Sequence, residues 1–252
     1  MVIKNVALES GHRPVICIPV MGSNGQEVIA EAQRVIGEGA RMIEWRMDYL
    51  EDYTDLTAIR QTLTSLAQLC DQVVLLVTLR TVQQGGKASM GETQLRQFYL
   101  AIAQMRLADL IDVEFFTIDK PESLLRAMKN ESARVITSHH DFVQTPEESV
   151  MMMLLSQMAD GGADIAKIAV MPQSLQDVLD LLRVTCCFAE EYPEVPVASM
   201  SMGSMGIISR LCGEVFGSCM TFGTMGVGSA PGQMPEEQLR QILDIIHSNF
   251  ER

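Results

Sequence analysis

Short apolar runs and amphipathic segments alternate along this chain eight times without interruption, and that alternation limits the folds open to it. The strand-like runs are Val15 to Met21, Met42 to Asp48, Val73 to Arg80, Leu110 to Phe116, Arg134 to Phe142, Asp164 to Met171, Pro196 to Met202 and Ser218 to Phe222. After each, apolar residues switch to helical spacing, over Gln26 to Glu38, Leu56 to Leu69, Glu92 to Leu107, Lys120 to Lys129, Pro146 to Ala159, Leu175 to Glu190, Ile207 to Phe216 and Glu236 to His247. Strict alternation of this kind implies parallel pairing through right-handed crossovers. Eight pairs within 252 residues fit a closed (β/α)8 barrel better than an open doubly wound α/β sheet. No glycine-rich nucleotide loop follows the first strand, which weighs the same way. With no linker or composition break, residues 1–252 read as one α/β barrel domain with a short polar lead-in before the first strand.

The formal net charge of −13 argues against nucleic acid or an anionic membrane as partner. The amino-terminal MVIKNVALESGHR holds no apolar run of signal-peptide length, and no stretch is long enough to span a bilayer, so a cytoplasmic location is expected. Six cysteines form no CxxC pair and fit free thiols in a reducing compartment.

Barrel chemistry sits at the carboxyl ends of the strands and in the loops beyond them. Lys167 stands in an otherwise apolar strand. Either it reaches solvent from the strand end, or it is a desolvated amine facing a pocket, a nucleophile toward ketones and aldehydes. Glu44, Arg46 and Asp48 are spaced by two and share a face, as an ion-pair network or as part of a site. Arg80 precedes TVQQGGKASM, whose glycines indicate a mobile or tightly turned loop. In Ser138-His139-His140-Asp141 neighbours face opposite ways, so one histidine at most points inward. That disfavours a two-histidine metal site and leaves one acid/base near neutrality. Met200 and Met202 can wall a pocket. Arg210 follows in a helix, and the last loop, GTMGVGSAPGQM, carries Ser229 and Gln233. The strand ends therefore supply a lysine, a histidine, three arginines and few free acids. Such guanidiniums would push a buried amine toward neutrality and suit a carboxylate-bearing substrate.

The segments EWRMD (44–48), TLR (78–80), SHHDF (138–142), ADIAKIAVMPQS (163–174), MSMGSMGIISR (200–210), FGS (216–218), TFG (221–223) and SAPGQ (229–233) together resemble type I 3-dehydroquinate dehydratase, the Schiff-base enzyme of the shikimate and quinate pathways. The resemblance runs along nearly the whole chain. It implies a (β/α)8 barrel, a homodimer, a small-molecule substrate, and no metal or organic cofactor. Lys167 then matches the imine-forming lysine and His140 the general acid/base. Arg210 matches the residue gripping the substrate carboxylate. Glu44, Arg46, Arg80, Ser229 and Gln233 match positions that hold the ring hydroxyls and the closing loop, and Met200, Met202 and Phe222 match the pocket wall. One position departs from the family pattern. Gln84 stands where a glutamate usually orients the histidine, and an amide can hold an imidazole but cannot stabilise its cation. Reduced or differently pH-dependent activity is the expectation. Two other readings stay open: an aldolase-type reaction through the same imine, and a non-catalytic or weakly active binding barrel. Ala166 replaces the usual proline before the lysine, and Lys87 adds a cation with no role legible in the sequence.

Overall fold

The computed structural model describes residues 1–226 and 228–250. The chain opens with a hairpin of β1 (Val2–Ile3) and β2 (Val6–Ala7). Eight strands then pair in parallel: β3 (Val15–Val20), β4 (Met42–Arg46), β5 (Val74–Thr78), β6 (Leu110–Glu114), β7 (Val135–Asp141), β8 (Ile165–Val170), β9 (Val197–Ser201) and β10 (Met220–Thr224). β10 returns beside β3, with Met220 opposite Val15. At the other seam a bridge joins Val197 to Ser218, and the Cys219 N–H donates to the Val197 carbonyl at 2.8 Å. The sheet closes on itself, and the expected (β/α)8 barrel is the observed fold.

Helices α1 (Gly25–Gly37), α2 (Leu56–Leu69), α3 (Glu92–Met105), α4 (Pro121–Asn130), α5 (Glu148–Asp160) and α6 (Leu175–Glu191) fill the first six crossovers. Their starts follow ordinary capping chemistry. Asn24, Asp55 and Ser174 accept first-turn backbone N–H groups of α1, α2 and α6, and Pro121 opens α4. The seventh crossover differs from the single helix expected over residues 207–216. It is two short helices, α7 (Ile207–Leu211) and α8 (Gly213–Phe216), broken at Cys212. The chain ends in α9 (Glu236–Asn249), preceded by a two-residue strand β11 (Met234–Pro235) that pairs with β10.

Alternation along each strand splits the core in two. Cys17, Met42, Val74, Leu76, Leu110, Ile136, Ile165, Ala198 and Met220 fill the barrel. Ile18, Val20, Ile43, Trp45, Leu75, Val77, Ile111, Val113 and Ile168 face the helices. Burial on both faces explains why the strands read as nearly continuous apolar runs.

The lead-in is more than a polar segment. Lys4 and Asn5 adopt left-handed conformations at the hairpin turn, as a tight two-residue loop requires. Ile3, Val6 and Leu8 join the barrel's inner cluster. Lys4 Nζ reaches the carbonyls of Cys70 (2.7 Å) and Val73 (3.1 Å) and the carboxylate of Asp109 (2.6 Å), so the hairpin plugs the amino end of the barrel. The second strand stops at Arg46, and Asp48 falls in a 3-10 turn over Met47–Tyr49. Val227, in the glycine-rich last loop, and residues 251–252 of the expected domain lie outside the described residues. Among the described residues no helix is long and apolar enough to cross a membrane, and all six cysteines are free thiols.

Candidate active site

A cavity opens at the carboxyl ends of the strands, and every residue singled out in the sequence as catalytic, substrate-binding, wall-forming or histidine-orienting lines it. Parallel register fixes which side chains turn inward. Ser138 pairs with Lys167, and His140 with Ala169, so Lys167 and His140 point into the barrel from neighbouring strands. Lys167 is only 3% exposed. It does not reach solvent from the strand end.

Its surroundings correct the sequence reading in one respect. Two carboxylates lie within 4 Å of Nζ: Asp112 Oδ2 at 3.2 Å and Glu44 Oε1 at 3.9 Å. Asp112 and Glu114 on β6 fall outside the residues expected at the site; both pair with Arg80 and so are not free acids, but Asp112 puts a carboxylate beside Lys167 where only guanidiniums were expected. The signal was present in LIDVEFF, where acids two apart in an apolar strand share one face, as Glu44 and Arg46 do. Arg80 ties these acids together. Its Nη2 donates to Asp112 (2.9 Å), and its Nη1 donates to Glu114 (3.1 Å) and Ser138 (2.9 Å). Burial alone would lower the Arg80 pKa, but Asp112, Glu114 and Glu44 raise it above the ordinary value. Arg46 is likewise clamped, through Nε and Nη2, by the two carboxylate oxygens of Asp48 at 2.8 Å each. Glu44 accepts from the Thr78 hydroxyl at 2.8 Å.

Gln84 governs His140. Its Oε1 accepts the His140 backbone N–H at 3.0 Å and lies 2.9 Å from the ring Nδ1. A backbone N–H only donates, so the amide atom facing it is the oxygen, and that oxygen can contact Nδ1 favourably only if Nδ1 carries the proton. The Nε2 lone pair is thereby left free. Burial first, then the charges of Arg80 and Lys167, hold the imidazole pKa well below 6.5. His140 is thus a neutral imidazole with Nε2 as its acceptor nitrogen. His139 turns the other way, its ring edge-on to Phe116 with centroids 5.6 Å apart.

The loop carrying Gln84 is tightly turned. Gly85 adopts φ +80°, and any side chain there would run into the Phe142 ring, while one at Gly86 would strike the Arg80 carbonyl. Lys87 also gains an account. Its ammonium sits 3.9 Å from the centre of the Tyr49 ring, and its N–H donates to Asp48 at 3.1 Å, which pins the loop to the Arg46–Asp48 pair.

Arg210 is the anomaly. It is 1% exposed, and its Nη2 donates to the Pro231 carbonyl at 3.0 Å, yet Nε and Nη1 have no partner among the described residues. Desolvation, with no carboxylate to offset it, brings its pKa down to about 10. A buried guanidinium without a counter-ion is costly. It lines the cavity with those two donor nitrogens unengaged. Pro231 also accepts the Gly203 N–H at 3.3 Å. Ser229 and Gln233 hydrogen-bond each other across the same loop at 2.9 and 3.1 Å. Met200, Met202 and Phe222 form apolar wall, and the Phe222 ring centre lies 4.6 Å from Lys167 Nζ. No group of three or more His, Cys, Asp or Glu residues among those described could hold a metal ion.

A closed (β/α)8 barrel with an ionisable cavity at its carboxyl rim defines a single-domain barrel enzyme acting on a small molecule. The sequence model for type I 3-dehydroquinase matches residues 16–250. The 3-dehydroquinate dehydratases of Clostridioides difficile (strain 630) and Bacillus subtilis (strain 168) are each 37% identical to this chain. The first alignment covers 98% of this chain and 97% of the relative, the second 99% and 98%. Among solved structures, the type I 3-dehydroquinate dehydratase of Clostridium difficile, determined with covalent modified comenic acid, superposes with a TM-score of 0.93 at 36% identity, covering 99% and 98% of the two chains. The Geobacillus kaustophilus HTA426 enzyme gives 0.92 at 32%, covering 100% and 97%. The chain belongs to the type I 3-dehydroquinase family. Its activity is that of a hydro-lyase, 3-dehydroquinate dehydratase, and the comparisons lend no support to the non-catalytic alternative.

Proposed function

We propose that Lys167 and His140 convert 3-dehydroquinate to 3-dehydroshikimate through a covalent imine, the third step of the shikimate pathway. The observation that carries this reading is the meeting, in one cavity, of a buried amine, a neutral histidine with a free acceptor nitrogen, and an arginine lacking an anion. Arg210 takes the substrate carboxylate through Nε and Nη1. That anchors the ring with its ketone toward Lys167. The amine of Lys167 attacks the carbonyl carbon, forming a C–N bond, and one N–H proton passes through His140 Nε2 to the carbonyl oxygen. The carbinolamine hydroxyl then leaves as water with a further proton that His140 relays from solvent, and a protonated imine remains. His140 Nε2 then removes the C2 proton, and the electron pair flows into the iminium to give an enamine. The enamine expels the C1 hydroxyl, which departs as water with the proton returned by His140. Water hydrolyses the conjugated iminium and frees Lys167.

The other residues hold this frame. Gln84 orients the imidazole. Glu44 and Arg46 meet the ring hydroxyls, as does Arg80, whose guanidinium is already fixed by Asp112, Glu114 and Ser138. Ser229 and Gln233 close the last loop over the ligand, and Met200, Met202 and Phe222 bound its apolar edge. A covalent ligand in the Clostridium difficile relative supports covalent chemistry in this family. A homodimer is part of the same reading. Exposed Val150 and Met153 on α5, with Leu175 and Leu179 on α6, offer apolar surface for a second copy, and sedimentation at micromolar concentration reads the state directly. Six free thiols support a reducing cytoplasm.

Incubation with 3-dehydroquinate and borohydride, followed by intact mass and peptide mapping, tests the imine. An adduct on Lys167 is expected. Its absence, with substrate shown to bind, removes the covalent mechanism. Growth of enone absorbance separates dehydration from aldol cleavage.

A further inference from the structure

Asp112 has no role in the steps above, yet it makes the nearest polar contact to Lys167, with Oδ2 3.2 Å from Nζ. Its side chain is 1% exposed. Ser138 donates to its Oδ1 at 2.6 Å, and Arg80 donates to its Oδ2 at 2.9 Å. Burial pushes its pKa up, but Arg80, Lys167 and the Ser138 hydroxyl outweigh burial and hold it below the ordinary carboxylate value. The result is a fixed, ionised carboxylate aimed at the one nitrogen on which the mechanism keeps positive charge.

We propose that Asp112 is the counter-ion of the protonated imine, and so a catalytic residue. The proposal rests on the imine reading above. When water leaves the carbinolamine, the C–O bond breaks and the nitrogen lone pair becomes the second bond of C=N. The nitrogen keeps one N–H and the positive charge, and that N–H donates to Asp112 Oδ2. Asp112 forms no covalent bond and takes no proton. Its effect is to keep the imine protonated while His140 draws off the C2 proton, because a neutral imine is a poor electron sink.

The neighbouring groups leave this task to Asp112. Glu44 on β4 is farther away at 3.9 Å and already accepts from Thr78, while Arg46 is engaged by Asp48. Glu114 on β6 is engaged by Arg80 and by the backbone and hydroxyl of Thr81. His140 on β7 is neutral, and burial keeps the Cys17 thiol on β3 and the Tyr99 phenol on α3 protonated.

The test uses Asp112→Asn in the full chain, with 3-dehydroquinate and cyanoborohydride, which reduces an iminium far faster than a neutral imine. The rate of adduct formation at Lys167 is followed against pH by intact mass. The alkaline midpoint of trapping is expected about one to three pH units below that of the unaltered chain, with kcat lowered about 10²-fold. Ser138→Ala, which removes a donor that disperses the carboxylate's charge without touching the reacting nitrogen, moves the midpoint the opposite way by less, and it decides the matter if Asp112→Asn does not fold. Unmoved midpoints in the folded variants, with an adduct on the unaltered chain, overturn the counter-ion alone. No adduct on the unaltered chain overturns the imine, and this proposal with it.

Discussion

Replacing Gln84 by glutamate tests how the histidine is tuned. Gln84 Oε1 lies 2.9 Å from Nδ1 and also accepts the His140 backbone N–H, so a glutamate oxygen can occupy the same place without rebuilding the loop. The change therefore adds a charge and little else. At 2.9 Å and an effective dielectric constant of about 20, a unit pair attracts by about 6 kcal/mol. Desolvation of the new carboxylate takes back several kcal/mol, which leaves about 1.4–4 kcal/mol, or a rise of about one to three pH units in the imidazole pKa. The sign on catalysis follows from the role. In the proposed mechanism His140 works first as a neutral base, so kcat/KM falls where the free enzyme's imidazole becomes protonated. In the native chain that acid limb lies well below pH 6.5, because burial and the nearby cations disfavour the imidazolium. In Gln84→Glu the limb moves to higher pH, and the plateau above it rises because a more basic nitrogen abstracts the C2 proton faster. The assay is enone absorbance across the pH range, with an NMR titration of the His140 ring alongside. An acid limb in the same place for both folded proteins would refute the assignment of Gln84 as the group that sets the imidazole's protonation.

Three further outcomes follow from the same geometry. Arg210→Ala is expected to raise KM about 10²-fold, since two charge-assisted hydrogen bonds are lost, while the unliganded protein loses no stability because an unpaired buried charge is removed; a KM change under about three-fold contradicts this. Gly85→Ala places a side chain at φ +80° against Phe142, costing at least about 1–2 kcal/mol and displacing Gln84, so urea unfolding followed by the single buried tryptophan, Trp45, should show lower stability and the assay a lower kcat. Stability should also fall on acidification in two stages. His139 and His140 have folded pKa values below 6.5, so the unfolded chain binds more protons and stability declines as pH drops below about 6.5; Asp112, whose folded value lies below 3.8, adds its loss as pH falls below 3.8. Flat unfolding free energy between pH 7.5 and 5 would contradict the first stage.

What the sequence disclosed and what it hid have separate physical causes. Two-sided burial writes apolar runs and short crossovers write amphipathic helices, so the barrel and its strand ends were legible. Inward alternation also placed Lys167 and one of two adjacent histidines in the mouth. The hairpin plug was hidden because only Ile3, Val6 and Leu8 face the core, too few for a periodic signal. The break at Cys212 was hidden because Ile207–Leu211 and Gly213–Phe216 together keep a plausible helical spacing. Asp112 and Glu114 show a different limit. Their spacing was visible, but the cations they meet are Arg80, just past β5, and Lys167 on β8, and no local pattern reveals that Arg80 would gather both acids beside Lys167.

The order of residues along the strands explains how so charged a mouth coexists with a stable barrel. Each of four strands turns an apolar residue inward first and a polar one two positions later: Met42 then Glu44, Leu110 then Asp112, Ile136 then Ser138, Ile165 then Lys167. The lower layer, sealed by the hairpin, supplies apolar burial that stabilises the fold whatever happens above it. The upper layer excludes solvent from Glu44, Arg46, Arg80, Asp112 and Lys167, so each of these charges must find its partner within the barrel. Carboxylates do so through Arg80, Arg46 and Lys167, and such buried pairs commonly contribute less than apolar side chains of equal size would. A layer that stabilises so little by itself is explained by what it does to reacting groups. It holds Asp112 ionised and His140 neutral, and it leaves Arg210 buried with Nε and Nη1 unpartnered among the described residues; on the proposed reading the substrate's own carboxylate matches them.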